Sequence, residues 1–141
     1  LHAFTINDTY YSIPSEDDWQ PVEDERDVLL KDVAGKKGDV MTYVYDFGDD
    51  WMHTITVEKN VPSIPDTHYP VCTGGERACP PDDVGGVWGY GEFLKAINDP
   101  GHPEHESFLE WIGGGFDPEH FDRHEKNTML EDVDLYLRDW G

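Results

Sequence analysis

The stretch MTYVYDFGDDWMHTITVE, Met41 to Glu58, constrains the fold more than any other part of the chain. Met41, Tyr43, Tyr45 and Phe47 alternate with other residues before Gly48-Asp49-Asp50, and Trp51, His53, Ile55 and Val57 alternate after it. A period of two is the signature of a strand, whose successive side chains point to opposite faces. Two such runs around a short turn read as an antiparallel hairpin. With Gly48-Asp49-Asp50 as the loop, Phe47 faces Trp51, Tyr45 faces His53, Tyr43 faces Ile55 and Met41 faces Val57. All eight side chains then share one face, which is expected to be the core. A slip of one residue would invert that face.

A second hairpin is expected at the start. HAFTI (2–6) and TYYSI (9–13) are β-rich runs around Asn7-Asp8, a pair that tolerates the left-handed backbone of a two-residue turn. Residues 14–27 are acidic and turn-rich, DVLLKDV (27–33) is a short apolar segment of either type, and AGKKGD (34–39) is a loop. Residues 60–89 carry no periodicity but hold five prolines, two glycine pairs and both cysteines. A loop of that length inside a compact domain is usually functional or disordered, and its Trp, Tyr and Cys content argues against disorder.

The remainder reads as helical. GEFLKAIND (91–99) ends at Pro100, and HPEHESFLEWI (102–112) starts with Pro103 in its first turn and stops at Gly113-Gly114-Gly115. Its apolar stripe is His105, Phe108, Leu109 and Ile112. DPEHF (117–121) has the Asp-Pro-Glu order of a helix start, and the stretch from Lys126 to Trp140 repeats apolar residues at helical spacing. Strands first and helices after argue an α+β fold: an antiparallel sheet of hairpins followed by C-terminal helices packed on one of its faces. The 141 residues suit a single domain spanning 1–141.

Charge narrows the function classes. Thirty-one acidic and ten basic residues leave a net charge of −21, and no three basic residues adjoin. Such a surface repels nucleic acid, because phosphate binding needs Lys and Arg clusters. It suits a very soluble surface, and in a sharper reading a DNA mimic or a binder of basic proteins. No run of 18 apolar residues marks a membrane span, and no signal peptide is visible. Two cysteines are too few for a secreted disulfide scaffold, so a cytoplasmic address is expected.

Three places concentrate chemistry. In the hairpin, Asp49 and Asp50 form a carboxylate pair beside Trp51 and His53; the functional reading is an acid–base or metal site, and the structural one is a turn with a hydrogen-bonded core histidine. In TGGERACPPDD (73–83), Gly74 and Gly75 permit close backbone approach, and Glu76 and Arg77 set opposite charges side by side. It is no phosphate loop, because the Lys-Ser/Thr after the last glycine is missing. GGVWGYG (85–91) reads as a glycine-rich corner in which Trp88 and Tyr90 pack. His53, Cys72, Cys79 and His105 could together hold zinc or another divalent ion, although no spacing demands it, and no cofactor is committed. The alternative for Cys72 and Cys79 is two buried thiols or a disulfide.

YDFGDDWMHTITVE, YPVCTGGERACPPDDVGG, HPEHESFLEWIGG and FDPEHFD, in that order, resemble the plasmid-ORF-three-like family, also described as passenger TnpR-like proteins of insertion elements. The resemblance runs from about Leu1 to Leu137. It implies an α+β domain associated with mobile elements. Family members start further upstream, with a strand, a Pro-x-x-Trp-Arg-Arg segment and a helix, so the resemblance implies that LHAF sits where that helix has ended. A sheet lacking its first strand would expose an edge that a second chain could fill, in strand-complementing self-association. The family name hints at recombination, yet a serine recombinase needs several Arg around its nucleophile, and the four here are scattered.

The reading that follows is a non-catalytic binding or interaction module with a protein partner, using Asp49, Asp50, Trp51, His53, Glu76, Arg77, Trp88 and Tyr90. The alternatives are a metal-binding protein or hydrolytic enzyme using the Asp/His/Cys cluster, and a recombination-associated accessory protein.

Overall fold

The computed structural model describes residues 1–132. They group into two compact units, Leu1–Pro62 with Asp83–Glu92, and Ser63–Asp82 with the chain from Phe93 onward.

The first unit holds a five-stranded sheet in the order β3-β2-β1-β4-β5. β1 (His2–Ile6) and β2 (Thr9–Ser12) pair antiparallel around Asn7 and Asp8, whose φ values of 49° and 67° make the expected two-residue turn. β4 (Val40–Tyr45) pairs antiparallel with β1, setting Phe4 opposite Tyr43 and His2 opposite Tyr45. β3 (Glu23–Asp24) is the exception to the antiparallel rule, lying parallel to β2 with Tyr11 opposite Glu23. A 3-10 turn at Glu25–Asp27 and the short helix α1 (Leu30–Val33) follow it. Ile6, Ala34 and Met41 are buried together, with Phe4, Tyr11, Val33 and Val57 packed around them.

The central hairpin forms, with a register that differs from the expected one. β5 (Trp51–Thr56) pairs with β4 so that Tyr45 faces Trp51, Tyr43 faces His53 and Met41 faces Ile55. The loop is Asp46–Asp50 rather than a tripeptide, because Asp46 and Asp50 both take left-handed backbone, at φ 60° and 59°. The Asp46 carboxylate accepts from the N–H groups of Gly48 and Asp49 at 3.1 and 3.4 Å, and the Asp50 N–H donates to the Asp46 carbonyl at 2.6 Å. Phe47 therefore lies in the loop, with 41% of its surface exposed. The shift is an even number of residues, so the strand side chains still share the expected face. That face is buried at Met41, but Ile55 and His53, on β5, the outermost strand among the described residues, are exposed. The expectation of an inward His53 is corrected accordingly.

The second unit is built around Phe93, which is fully buried. The rings of Phe108, Trp111 and Phe116 meet its ring edge-on or steeply inclined, with centroids 5.5–5.7 Å away. Phe93 belongs to α2 (Gly86–Asn98), which starts five residues before the expected Gly91. α3 (His105–Ile112) starts three residues later than expected and ends as expected: Gly113 is left-handed, and the Gly114 N–H returns to the Leu109 carbonyl at 2.7 Å. DPEHF is one turn, closed by the Glu119 N–H on the Asp117 carboxylate at 3.0 Å, and not a helix. α4 (Arg123–Glu131) begins instead at Asp122, whose carboxylate accepts from the N–H groups of His124 and Glu125. The expected continuation of that helix from Val133 to Trp140 lies outside the described residues. Among the described residues no helix is long and apolar enough to cross a membrane.

Candidate functional site

The chemistry of the hairpin loop meets the start of α2. The Asp49 carboxylate, presented by the tight Asp46–Asp50 loop, accepts a hydrogen bond from the Gly85 N–H at 3.1 Å. Gly86 comes so close that a side chain there would put its Cβ 2.5 Å from the Asp49 carbonyl oxygen, and its φ of 71° also favours glycine. Gly89 is required next: its Cβ would stand 2.2 Å from the Val84 carbonyl oxygen. These contacts seat the first turn of α2 on the loop. One turn further, the Tyr90 ring stands edge-on to Trp51 at 6.3 Å. Asp49, Trp51 and Tyr90 thus come together.

Asp50 is exposed beside them, and Trp88 projects into solvent with 82% of its surface exposed, next to Val87 at 76%. The corner in which Trp88 was expected to pack is therefore helix, with Tyr90 packed and Trp88 not. The His53 ring lies tilted against that of Tyr43, with centroids 5.4 Å apart, and its Nδ1–H donates to the Tyr43 carbonyl at 3.1 Å. Burial pushes the Tyr43 phenol above its usual range.

The second unit holds the remaining candidates. Arg77, at φ 68°, points an exposed guanidinium at Glu119, 3.6 Å away, while the next N–H, of Ala78, donates to the Pro118 carbonyl at 3.0 Å. Glu76 is exposed. Gly75 fits beneath Phe121, whose ring would lie 2.7 Å from a Cβ. Cys72 and Cys79 are both free thiols, one half-buried and one exposed. The Cys72 backbone is gripped twice by the Asn127 amide: its N–H donates to Oδ1 at 2.7 Å and its carbonyl accepts from Nδ2 at 3.0 Å. His105 donates from Nδ1 to the Ala96 carbonyl at 2.8 Å, tying α3 to α2. Among the described residues no three His, Cys, Asp or Glu side chains gather as a metal site would require.

The sequence profile of the plasmid pRiA4b ORF-3-like proteins matches residues 1–125. The chain belongs to this family. Within it, the chain is 39% identical over 115 residues to the uncharacterized protein y4hQ of Sinorhizobium fredii strain NGR234, a match that covers 80% of this chain and 58% of that protein. The chain thus spans less than two thirds of that relative. Its fold is similar to the crystal structure of the protein of unknown function MM3350 from Methanosarcina mazei Go1, with a TM-score of 0.75 and 35% identity, covering 89% of this chain and 71% of that one. Both of these proteins are described as uncharacterized or of unknown function.

Two features of this ORF-3-like chain escaped sequence reasoning. On the apolar sheet face, Phe4, Ile6, Tyr11, Met41 and Ile55 line a cleft of about 270 Å³ whose wall also includes Glu25. The Glu25 carboxylate is hydrogen-bonded to His2 Nε2. In the second unit, Asn127 closes on Cys72 from 55 residues away. Neither pair has a spacing that announces it.

Proposed function

We propose that this ORF-3-like chain is a non-catalytic interaction module. Its contact surface is the hairpin loop with the start of α2: Asp49, Asp50, Trp51 and His53 with Trp88 and Tyr90. Glu76 and Arg77 offer a separate contact on the second unit.

The observation that carries this reading is Trp88. A tryptophan with 82% of its surface exposed, adjoining an exposed Val87, stands on a helix turn whose backbone is pinned at Gly85 and Gly86. Rigid, exposed aromatics are the side chains that supply most binding energy at interfaces. The carboxylates support it too. Asp46 and Asp49 accept from backbone N–H groups and so hold the surface in shape. Two free thiols fit a cytoplasmic address, where the redox poise keeps cysteines reduced.

The test is affinity capture with the immobilised chain from cells that encode it, followed by mass spectrometry. A partner retained by the native chain and lost with Trp88→Ser is the expected result. Trp88→Ser touches no packed side chain, so its fold, checked by circular dichroism, should be unchanged. Equal capture by both forms would remove Trp88 from the surface and the reading with it.

A further inference from the structure

In the second unit, residues 72–78 lie along residues 118–127 in the opposite chain direction. Cys72 meets Asn127, Gly75 lies against Phe121, Arg77 faces Glu119, and the Ala78 N–H donates to the Pro118 carbonyl. The strip that receives them is made of two pieces. Residues 117–120 are a lone turn, closed by the His120 N–H on the Asp117 carbonyl at 3.2 Å, and α4 begins beyond it at the Asp122 cap. Arg77 and Ala78 are anchored on the turn, and Cys72 on the helix. A side-chain bond bridges the two pieces: His120 Nε2–H donates to the Glu125 carboxylate at 3.0 Å.

The bridge sits among like charges. Asp117, Glu119, Asp122 and Glu125 bring four carboxylates to this short stretch. Arg77, 3.6 Å from Glu119, reaches them from the docked segment beside Glu76, and Arg123, His124 and Lys126 belong to α4. Within the turn itself His120 is the residue that can carry a positive charge, and it does so only when protonated. The Glu125 hydrogen bond, and then the charges of Glu125, Asp117 and Asp122, hold its pKa above the ordinary 6.5. A group whose pKa is raised in the fold adds stability below its unfolded pKa and loses it as pH rises through the folded one. The bridge is therefore complete in mild acid. In mild alkali a neutral ring is left among four carboxylates.

We infer that His120 and Glu125 form a pH-sensitive lock between the 117–120 turn and α4. Protonated, His120 holds the turn on the helix and Arg77 on Glu119. Neutral, it lets the turn and the Arg77 end of the docked segment loosen. Both side chains are 55% exposed, so solvent screens the pair and the response is graded. The lock regulates the Glu76 and Arg77 contact of the interaction-module reading, and rests on that reading for its purpose.

The probe is hydrogen exchange at the Ala78 amide of the full chain, expressed at each pH as protection relative to the unfolded rate. Protection is expected to fall about threefold between about pH 5.5 and about pH 8.5, with the midpoint of the His120 ring titration followed by NMR. The Cys72 amide, held on α4 itself, should change less. His120→Gln and Glu125→Gln should flatten the Ala78 profile, and His124→Gln should leave it. All three positions are exposed, and circular dichroism checks the fold. If a variant fails to fold, coincidence of the two midpoints in the unaltered chain decides alone.

Four results would overturn the inference: Ala78 protection that is flat with pH, a midpoint away from that of the His120 ring, a profile that survives His120→Gln, or equal flattening by His124→Gln. A pH-dependent Ala78 amide together with partner capture indifferent to Arg77→Ser would support the lock and remove the contact assigned to Arg77.

Discussion

The Gly85 amide donates a 3.1 Å hydrogen bond to the Asp49 carboxylate across 36 residues of sequence, tying the hairpin loop to the start of α2. Truncating the acceptor removes a charge-assisted bond at a partly exposed site. Asp49→Ala is therefore expected to lower stability by about 1–2 kcal/mol, and Asp49→Asn, which keeps an amide oxygen, by less. Urea denaturation followed by tryptophan fluorescence checks both, and amide exchange at Gly85 should quicken in step.

Two glycines in the first turns of α2 separate by what surrounds them. Gly86→Ala forces a Cβ against the Asp49 carbonyl oxygen and a side chain onto a φ of 71°, and should cost about 1–3 kcal/mol. At Gly91 no atom stands within 4 Å of a Cβ. Gly91→Ala should instead stabilise by about 0.5–1 kcal/mol, because an ordinary helical position prefers alanine. Opposite shifts of the thermal midpoint, for one substitution at two places in one helix, are the measurement.

Phe93 holds the second unit's aromatic cluster. Phe93→Ala leaves the faces of Phe108, Trp111 and Phe116 around a void and should cost about 3–5 kcal/mol. Near-ultraviolet circular dichroism at 25 °C should lose the tryptophan signal before far-ultraviolet helicity falls, if the loss stays within this unit.

The Arg26 side chain, and then its backbone N–H, hydrogen-bond the Asp24 carboxylate and hold its pKa at about 2, against an ordinary 3.8. A depressed carboxylate adds stability above its unfolded pKa and loses it as pH falls through the folded one. Asp24 should thus contribute fully above about pH 4 and cease to contribute below about pH 2. A carbon-13 carboxyl titration by NMR should find the midpoint near the lower value, and Arg26→Gln should move it back up.

What could be read in advance divides by range. Asn7-Asp8 dictates its own turn, so the first hairpin needed nothing distant. Alternation from Met41 to Val57 determines which side chains share a face, and that held; register depends on loop length, which the Asp46 side chain lengthened by capping Gly48 and Asp49. The start of α2 was hidden by Gly86, Gly89 and Gly91, poor helix formers whose justification lies partly in the Asp49 carbonyl oxygen far back in the chain. Asp117-Pro118-Glu119 carries helix-start chemistry that also closes a lone turn, and the helix waited for Asp122. For the site, Asp49 and Trp51 stood out as a motif, but Gly85 and Tyr90 could be joined to them only through tertiary structure.

The grip of Asn127 on Cys72 has a practical meaning for shortened forms of the chain. One amide side chain does for Cys72 what a neighbouring strand does for a sheet residue, engaging donor and acceptor at once. The family profile stops at residue 125, two positions short of that side chain. A version trimmed to the recognisable family boundary would strand both main-chain groups of Cys72 and loosen the run toward Cys79, so an expression boundary drawn by homology would cut away the clasp of the segment it was meant to preserve.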